Sequence, residues 1–381
     1  MTHRPAQDWL ARLHALPRPP RFRILNVCGG HERSISMAGL RSLMPEGLEL
    51  IPGPGCPVCV CPEEDIHQAI RLALEHDVIL LAFGDMLRVP VNVPKSQPRS
   101  LEAARALGAD VRPVASPRDA LRIAREEPDR EVVFFAAGFE TTMAPVAAML
   151  LEDLPDNLDI LLSGRRTWPA VAMLLDAGDV RFEALVAPGH VSAVMGPEEW
   201  DFVATQHGLP VAVAGFEADS LLAAFHSVLR QHGEGVARLE NAYPEVVRPG
   251  GNPGARRCLD AAFDIADANW RGIGTIAKSG YALRDTFADH DARRRYPDDR
   301  EPDRRRAGEM PPGCDCASVV LGRIYPDQCR LYGTACRPHH PVGPCMVSDE
   351  GACRIWWSSG GSTNRGGRDT EGTETRRSRR L

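Results

Sequence analysis

Short apolar runs alternate with segments of helical periodicity through most of the first 214 residues. Each run is four to seven residues long, which suits a strand and is too short to cross a membrane. Strands separated by helices favour parallel sheets with right-handed crossovers, so the predicted fold class is α/β, with two doubly wound domains of mainly parallel sheet. The predicted strands are Arg21–Val27, Leu48–Ile51, Val78–Phe83, Val111–Ala115, Val132–Ala137, Leu158–Leu162, Ala184–Ala187 and Val211–Ala214.

Changes in composition divide the chain further. The charged, proline-rich stretch Asp285–Gly313 contains two arginine triplets and is expected to be an exposed connector. The last residues are rich in Gly, Ser, Thr and Arg and are expected to be disordered. The expected parts are an N-terminal extension (1–20), a first α/β domain (21–130), a second α/β domain (131–282), a connector with a cysteine-rich module (283–357) and a disordered tail (358–381).

The composition argues against several classes of function. A net charge of −6 and the lack of a basic stripe argue against a general nucleic-acid binder. The N-terminus has no apolar core of a signal peptide, so a cytoplasmic protein without a membrane partner is expected. Eleven cysteines in a cytoplasmic chain indicate metal binding or thiol redox chemistry rather than a framework of structural disulfides.

The stretch Gly53–Pro62 holds cysteines on a stiff loop. Three prolines fix φ and two glycines permit a tight turn, so Cys56 and Cys59 are expected to lie close together. A helix signal with an acidic first turn follows, and Cys61 is placed at the cap position of that helix. A helix N-terminus lowers thiol pKa, so the pair is predicted to bind a soft metal or to exchange disulfides.

Cys28 and His31 follow the first predicted strand. The spacings Cys28-x-x-His31 and Cys56-x-x-Cys59 fit a two-part zinc site. A thiolate beside a histidine equally suits a catalytic metal with proton transfer, and a domain of this size does not need zinc in order to fold. Cys258 stands alone in a predicted helix and is expected to be a small buried apolar residue.

The cysteine-rich module, Gly313–Trp357, contains six of the cysteines. Their spacing differs from that of the bacterial ferredoxins, so it does not decide the ligand set. Four could hold an iron–sulfur cluster while two form a redox-active pair, and zinc is the alternative. These residues are Cys314, Cys316, Cys329, Cys336, Cys345 and Cys353.

Eight short motifs occur in the order Val27–His31, Gly53–Cys59, Phe83–Pro90, Gly138–Thr142, Pro188–Ser192, Gly215–Glu217, Trp270–Gly272 and Pro341–Val347. Together they resemble the HypD family, whose members mature [NiFe]-hydrogenases. The resemblance extends from about Arg21 to Trp357, and the number and order of the motifs make a chance match negligible.

The resemblance implies a redox-active scaffold rather than a conventional enzyme. With a small HypC-like partner, the protein would assemble an iron that carries cyanide and carbon monoxide. A HypE-like protein would donate the cyanide, and the hydrogenase large subunit would be an indirect partner. The competing class is a thiol–disulfide oxidoreductase with structural zinc sites, which accounts for the cysteines but leaves the other motifs unexplained.

The resemblance also assigns roles to the cysteines. Cys28 is the expected iron ligand, with His31 beside it, because soft iron(II) suits a thiolate. Cys56 and Cys59 are the expected redox pair, and the cysteine-rich module is expected to fold back near them and to supply electrons. The resemblance implies a [4Fe–4S] cluster, with the division of the thiols predicted as Cys314, Cys316, Cys329 and Cys336 for the cluster and Cys345 and Cys353 for the neighbouring pair.

Four further residues in the motifs are expected to line the site or to handle protons. Glu140 and His190 are the stronger candidates for catalytic roles. The alternatives are a carboxylate at a helix N-terminus for Glu140 and a core histidine for His190. Asp85 and Arg88 could instead form a structural ion pair.

Three departures from the family pattern bear on these expectations. Arg33 stands where members commonly carry a second histidine, so proton transfer through that position is not expected. Cys61 stands where threonine is usual, which adds a thiol that could compete for metal. The stretch Arg165–Pro169 is also more basic than is usual there.

Overall fold

The computed structural model describes residues 5–178, 180–297 and 310–360. The described chain contains two parallel sheets, one antiparallel hairpin and a C-terminal segment with little regular structure. The prediction of an α/β fold with mainly parallel sheets is therefore confirmed. None of the described helices is both long and apolar enough to cross a membrane.

The eight predicted strands are all present, and their ends differ from the prediction by at most two residues. The strands are β1 (Phe22–Asn26), β2 (Leu48–Pro52), β3 (Val78–Phe83), β4 (Val111–Val114), β5 (Glu131–Gly138), β6 (Leu158–Gly164), β7 (Ala184–Pro188), β8 (Val211–Ala214), β9 (Leu239–Asn241), β10 (Phe263–Trp270) and β11 (Gly274–Leu283). The α-helices are α1 (Pro5–Ala15), α2 (Gly29–Met37), α3 (Leu40–Leu43), α4 (Pro57–Val60), α5 (Glu63–Glu75), α6 (Leu101–Ala106), α7 (Pro117–Glu126), α8 (Glu140–Leu150), α9 (Thr167–Asp176), α10 (Gly189–Met195), α11 (Asp201–Thr205), α12 (Ala218–Gly233), α13 (Pro253–Ala262), α14 (Ala292–Arg295), α15 (Cys316–Val320) and α16 (Ala352–Ser358).

The two parallel sheets are buried on both faces. The first has the strand order β2-β1-β7-β8-β9 and the second has the order β4-β3-β5-β6. In β3, Ile79 and Leu81 pack with α7 and α8, whereas Leu80 and Ala82 pack with α5 and α6. Because successive side chains of a strand point to opposite faces, a strand covered on both sides must be apolar throughout. This is why the strands could be recognised from the sequence.

Strand pairing crosses the expected boundary at residue 130. Strands β3 and β4 precede that boundary but lie in one sheet with β5 and β6, which follow it. Strand β7 pairs with β1, so the chain leaves the first sheet after β2 and returns to it later. The N-terminal extension contains α1, which packs on α12 of the first sheet through the fully buried Leu13.

The hairpin of β10 and β11 is not predicted by the sequence analysis. Polar residues interrupt its apolar ones and most of its positions are exposed or partly exposed, so it lacks the continuous apolar run of the other strands. Gly272 and Gly274 turn the chain with φ angles of 70° and 105°, a region that favours glycine. The hairpin lies against β6 and α9 of the second sheet.

The described part of the expected connector, residues 285–297, is exposed or partly exposed apart from Ala292, but α14 attaches it to buried groups. Ala292 is fully buried, and Arg293 Nη2 lies 2.7 Å from Oδ1 of the buried Asp65. Arg295 lies 3.3 Å from the buried Asp159. A buried carboxylate needs a counter-charge, and the first arginine triplet supplies it.

Parts of two other expectations lie outside the described residues. These are the second arginine triplet, Arg304–Arg306, and the tail from residue 361 onwards. The described end of the chain is helical through Ser358, the first residue of the expected tail. Cys258 lies in α13 as expected, but it is half-buried rather than buried.

Candidate functional site

Cys28 follows the carboxyl end of β1 and forms the N-cap of α2. Its side chain is partly exposed. Burial by the surrounding protein raises the pKa of its thiol to about 12, although the backbone N–H groups of His31 and Gly30 donate to the sulfur and oppose that shift. Those N–H groups point at the position where a thiolate would carry its charge. Binding of a metal would therefore be accompanied by loss of the thiol proton.

The loop that carries Cys56 is locked against the loop that carries Cys28. The amide of Gly29 donates to the carbonyl of Gly55 over 3.0 Å, and the amide of Gly53 donates to that of Asn26 over 2.8 Å. A Cβ atom at Gly55 would overlap the backbone of Cys28. Glycine is thus required for the two cysteine loops to approach this closely.

Cys56 and Cys59 form a buried disulfide within the short helix α4. Cys56 is the N-cap of α4, whereas Pro62 is the N-cap of the longer helix α5. The prediction that Cys61 caps the helix after the loop is therefore wrong, because Cys61 ends α4 and the extended backbone of Pro62 provides the cap of α5. The pair is found as a disulfide, so thiolate stabilisation by the helix N-terminus does not apply to this state.

Cys61 belongs to a buried polar network. Its sulfur lies 3.4 Å from Ser163 Oγ, and the Ser163 hydroxyl donates to Asp65 over 2.6 Å. Asp65 also accepts from Arg165 and Arg293. Burial, followed by the charge of Asp65, raises the pKa of Cys61 to about 12. A threonine here could make the same bond to Ser163.

His31, Phe216 and His190 stand in a row beside Cys28. His31 is fully buried, and its Nε2 lies 3.0 Å from the carbonyl of Ala214, which requires Nε2 to be the protonated nitrogen. Burial lowers the pKa of His31 to about 4, so the ring is neutral near pH 7. The ring of Phe216 lies 4.9 Å from that of His31 and 3.9 Å from that of His190. His190 itself is exposed rather than a core histidine.

The C-terminal segment closes the other side of the Cys28 loop. A Cβ atom at Gly29 would lie 2.6 Å from the Cβ atom of Glu350. The Ser348 hydroxyl accepts from the amide of Glu350 and donates to Asp85 over 2.7 Å. Loss of solvent and the charge of Asp85 raise the pKa of Glu350, while the nearby Arg33 opposes that shift. The cysteine-rich module also packs against α4, so the expectation that it folds back near Cys56 and Cys59 is confirmed.

Asp85 and Arg88 bond to the C-terminal segment rather than to each other. Asp85 accepts from Ser348, and Arg88 donates to the carbonyl of Pro338 over 3.0 Å. These residues tie the turn after β3 to the cysteine-rich module.

Glu140 lies at the carboxyl end of β5 in the second sheet. Its carboxylate accepts from the amide and the hydroxyl of Thr167, over 2.6 and 2.7 Å, and so holds the start of α9. Burial raises the pKa of Glu140. Its observed contacts are those of a helix-start carboxylate, and a catalytic role for it stays a prediction.

The six C-terminal cysteines converge. Cys314 and Cys316 have sulfurs 3.3 Å apart, and the Cys316 side chain also contacts those of Cys345 and Cys353. Backbone N–H groups donate to Cys329 from Asp315 and to Cys336 from Val342. Cys316, a predicted cluster ligand, thus contacts both members of the predicted pair, Cys345 and Cys353. These contacts therefore do not show which four of the six cysteines would bind a cluster.

Cys345 connects the two sets of thiols. It lies in the turn Pro344–Met346, which packs against α4, and it shares one buried cluster with Cys56 and Cys59. In the described ranges, no three His, Cys, Asp or Glu side chains have the geometry of ligands around one metal ion.

A groove of about 800 Å³ lies elsewhere, along β2 and the turn at Tyr325. Several arginines line it, but Arg21 pairs with Glu49 and Arg41 pairs with Glu32. Tyr325 also donates to Glu49 over 2.6 Å. The groove is thus bridged by its own ion pairs and hydrogen bonds.

Comparison with known proteins decides the family. The family model HypD, described as the hydrogenase formation hypA family, matches residues 5–360. Hydrogenase maturation factor HypD2 of Bradyrhizobium diazoefficiens is 40% identical, with 92% of each chain covered. Hydrogenase maturation factor HypD of Azotobacter vinelandii is 38% identical over 93% of this chain and 94% of its own. A putative hydrogenase expression/formation protein of Methanocaldococcus jannaschii is 37% identical over 88% and 92%.

The chain belongs to the HypD family. Five of its HypD motifs lie at two places in the fold. Those containing Cys28, Cys56, His190 and Phe216 meet at the Cys28 loop, whereas the one containing Glu140 lies in the second sheet.

Two residues at the Cys28 loop were not singled out from the sequence. Phe216 lies in a recognised motif, but its role as the ring between His31 and His190 depends on a contact across 185 residues of chain. Glu350 lies outside the recognised motifs, and only the fold brings it to Gly29.

Proposed function

We propose that this protein is a redox-active scaffold in [NiFe]-hydrogenase maturation. With a HypC-like partner, it holds the iron while cyanide and carbon monoxide are attached. A HypE-like protein donates the cyanide, and the hydrogenase large subunit finally receives the iron. Names of the relatives support a role in hydrogenase maturation, and the site supports the thiol and metal chemistry.

One observation carries the proposal. Cys28 is held between the Cys56–Cys59 disulfide and the cysteine-rich segment. A single partly exposed thiol, with N–H groups aimed at its sulfur, is a suitable anchor for a soft iron(II) ion. It leaves coordination positions open, so a thiolate from the partner could share the metal.

The thiols of the C-terminal segment fit an iron–sulfur cluster in their chemistry. Thiolates are the usual ligands of such clusters, and backbone N–H groups already donate to Cys329 and Cys336. Four of the six cysteines would hold the cluster, which would supply single electrons. The turn that carries Cys345 packs against α4, which holds the Cys56–Cys59 disulfide, so the proposed path for electrons runs through that turn.

The surrounding residues would control protons and access. Neutral His31 has an unpartnered Nδ1 among the described side chains, so it can accept a hydrogen bond or a proton from a group at Cys28. His190 is exposed on the far side of Phe216 and would face an arriving partner.

Metal analysis separates this proposal from a zinc-containing thiol–disulfide oxidoreductase. Anaerobically purified full-length protein should be brown, with about four irons and matching sulfide. Cys329→Ser should lose that iron, whereas Cys258→Ser should keep it, because Cys258 lies in α13. A colourless protein with stoichiometric zinc would contradict the proposal. Retention of iron in Cys353→Ser would support the prediction that Cys353 is not a cluster ligand. Loss of iron in this variant would mean that a different set of four cysteines binds the cluster.

A further inference from the structure

Arg271 is a buried cation with incomplete pairing. It lies in the turn after β10, and its side chain is only 1% exposed. Nη2 donates to the carbonyl of Pro90 over 2.7 Å and lies 3.4 Å from Glu63. Nε and Nη1 are buried and have no partner within the described ranges. A buried guanidinium with two unbonded nitrogens is costly unless an anion compensates it.

Glu63 compensates that charge only in part. Its side chain is fully buried, and burial raises its pKa to about 7 even though Arg271 favours the ionised form. The carboxylate also accepts from the amide of Asn92. Near neutral pH, Glu63 therefore supplies only a fraction of a negative charge to Arg271.

The turn that carries Arg271 is wedged between the two groups of thiols. Its amide donates to the carbonyl of Val60 in α4 over 3.0 Å. On the other side, a Cβ atom at Gly272 would lie 3.1 Å from Ala317, the residue after Cys316.

We propose that Arg271 is the buried counter-charge for an anionic, thiolate-bound iron–sulfur group in the C-terminal segment and that it raises the reduction potential of that group. The inference rests on the proposed function. Thiolate ligands give such a group a negative charge, and each added electron increases it. A fixed cation in a medium of low dielectric constant stabilises the reduced form more than the oxidised form.

Redox titration of the full-length protein tests this role. Dithionite reduces the wild type and three variants at about pH 8.5, where Glu63 is ionised. Arg271→Gln should shift the one-electron equilibrium towards the oxidised form by about tenfold or more, which is about 59 mV. Arg271→Lys keeps the charge and should shift it much less. Arg165→Gln removes another buried arginine, one paired with Asp65, and should leave the potential unchanged.

A fourth variant keeps the test decisive if Arg271→Gln does not fold. Glu63→Gln removes the negative charge opposite Arg271 and should shift the potential upwards, a change that loss of structure alone would not produce. An unchanged potential in Glu63→Gln at wild-type iron content would overturn the inference, and so would an unchanged potential in a folded Arg271→Gln. A wild-type protein without iron and sulfide would instead overturn the proposed function.

Discussion

Gly55 is the residue on which the placement of Cys28 depends most directly. The backbone of Cys28 occupies the space that any side chain at position 55 would need. The two loops can therefore approach this closely only because residue 55 has a hydrogen atom where any other amino acid has a Cβ atom. The Gly29–Gly55 hydrogen bond then fixes the distance between Cys28 and the disulfide.

Gly55→Ala should force the two cysteine loops apart. We expect the free energy of unfolding to fall by roughly 1–3 kcal/mol, because the clash is with backbone atoms that cannot turn aside. Thermal denaturation and the rate of Cys28 alkylation measure the two effects. Gly84→Ala is the matched control, since no atom lies within 4 Å of a Cβ built there. Equal stability and alkylation rates in both variants would contradict the packing argument.

Glu199 should make the free energy of unfolding depend on pH. Burial, then the charge of Glu140, raises its pKa from 4.5 to about 7, although Arg166 opposes the shift. The folded state therefore binds more protons than the unfolded state between these values, and this contribution to stability is lost as pH rises through 7. Glu199→Gln should raise the free energy of unfolding by roughly 1–3 kcal/mol at pH 8 and have little effect at pH 4.5.

Denaturant unfolding across this pH range measures that difference. Glu198→Gln is a suitable control, because Glu198 is exposed and accepts from the amide of Gly250. If Glu199→Gln were destabilising at pH 8, the pairing with Arg166 would outweigh the burial of the carboxylate.

At the level of helices and strands, the sequence predicts an element well where burial of that element produces a recognisable pattern of apolar residues. Strands buried on both faces are continuous apolar runs, so β1 to β8 could be predicted with nearly correct ends. The hairpin β10–β11 has no such run and was missed. The helix α4 was also missed, because four residues between two prolines carry too little periodicity to distinguish a turn of helix from a loop.

In the candidate site, too, some residues could be predicted from local sequence and others could not. Cys28, His31, Cys56 and Cys59 were predicted because their spacing and residue types are unusual in local sequence. The positions of Phe216 and Glu350 depend on contacts between segments far apart in the chain. Local sequence does not encode such contacts, and the fold was needed to show them.

The disulfide in α4 should be needed for function and not for folding. It closes a loop with a sequence separation of only three, so it restricts the unfolded chain little. We expect Cys56→Ser and Cys59→Ser to retain fold and iron content while hydrogenase maturation fails. Circular dichroism, metal analysis and hydrogenase activity in maturing cells measure these outcomes.

Cys61→Thr is the matched control for those variants. Threonine can keep the bond to Ser163, so hydrogenase maturation should continue. Normal maturation with Cys56→Ser would rule out the dithiol role and leave the pair as a rigid corner of the site.

Across the whole molecule, three distant parts of the chain meet at one place. The loop after β1, the disulfide loop after β2 and the segment that follows the connector all surround Cys28. The crossing of the chain between the two sheets makes this meeting possible, because β7 and β8 return to the first sheet and bring His190 and Phe216 with them. A scaffold that joins a metal anchor to a source of electrons requires such a convergence.

Infrared spectroscopy of the protein isolated anaerobically with its HypC-like partner from maturing cells tests the central claim most directly. The wild type should show the bands of cyanide and carbon monoxide on iron, and so should Cys258→Ala, in which a half-buried thiol of α13 is removed. Cys28→Ala should form the complex but lack the bands. Bands at full strength in Cys28→Ala would show that another ligand holds the iron and would contradict the account.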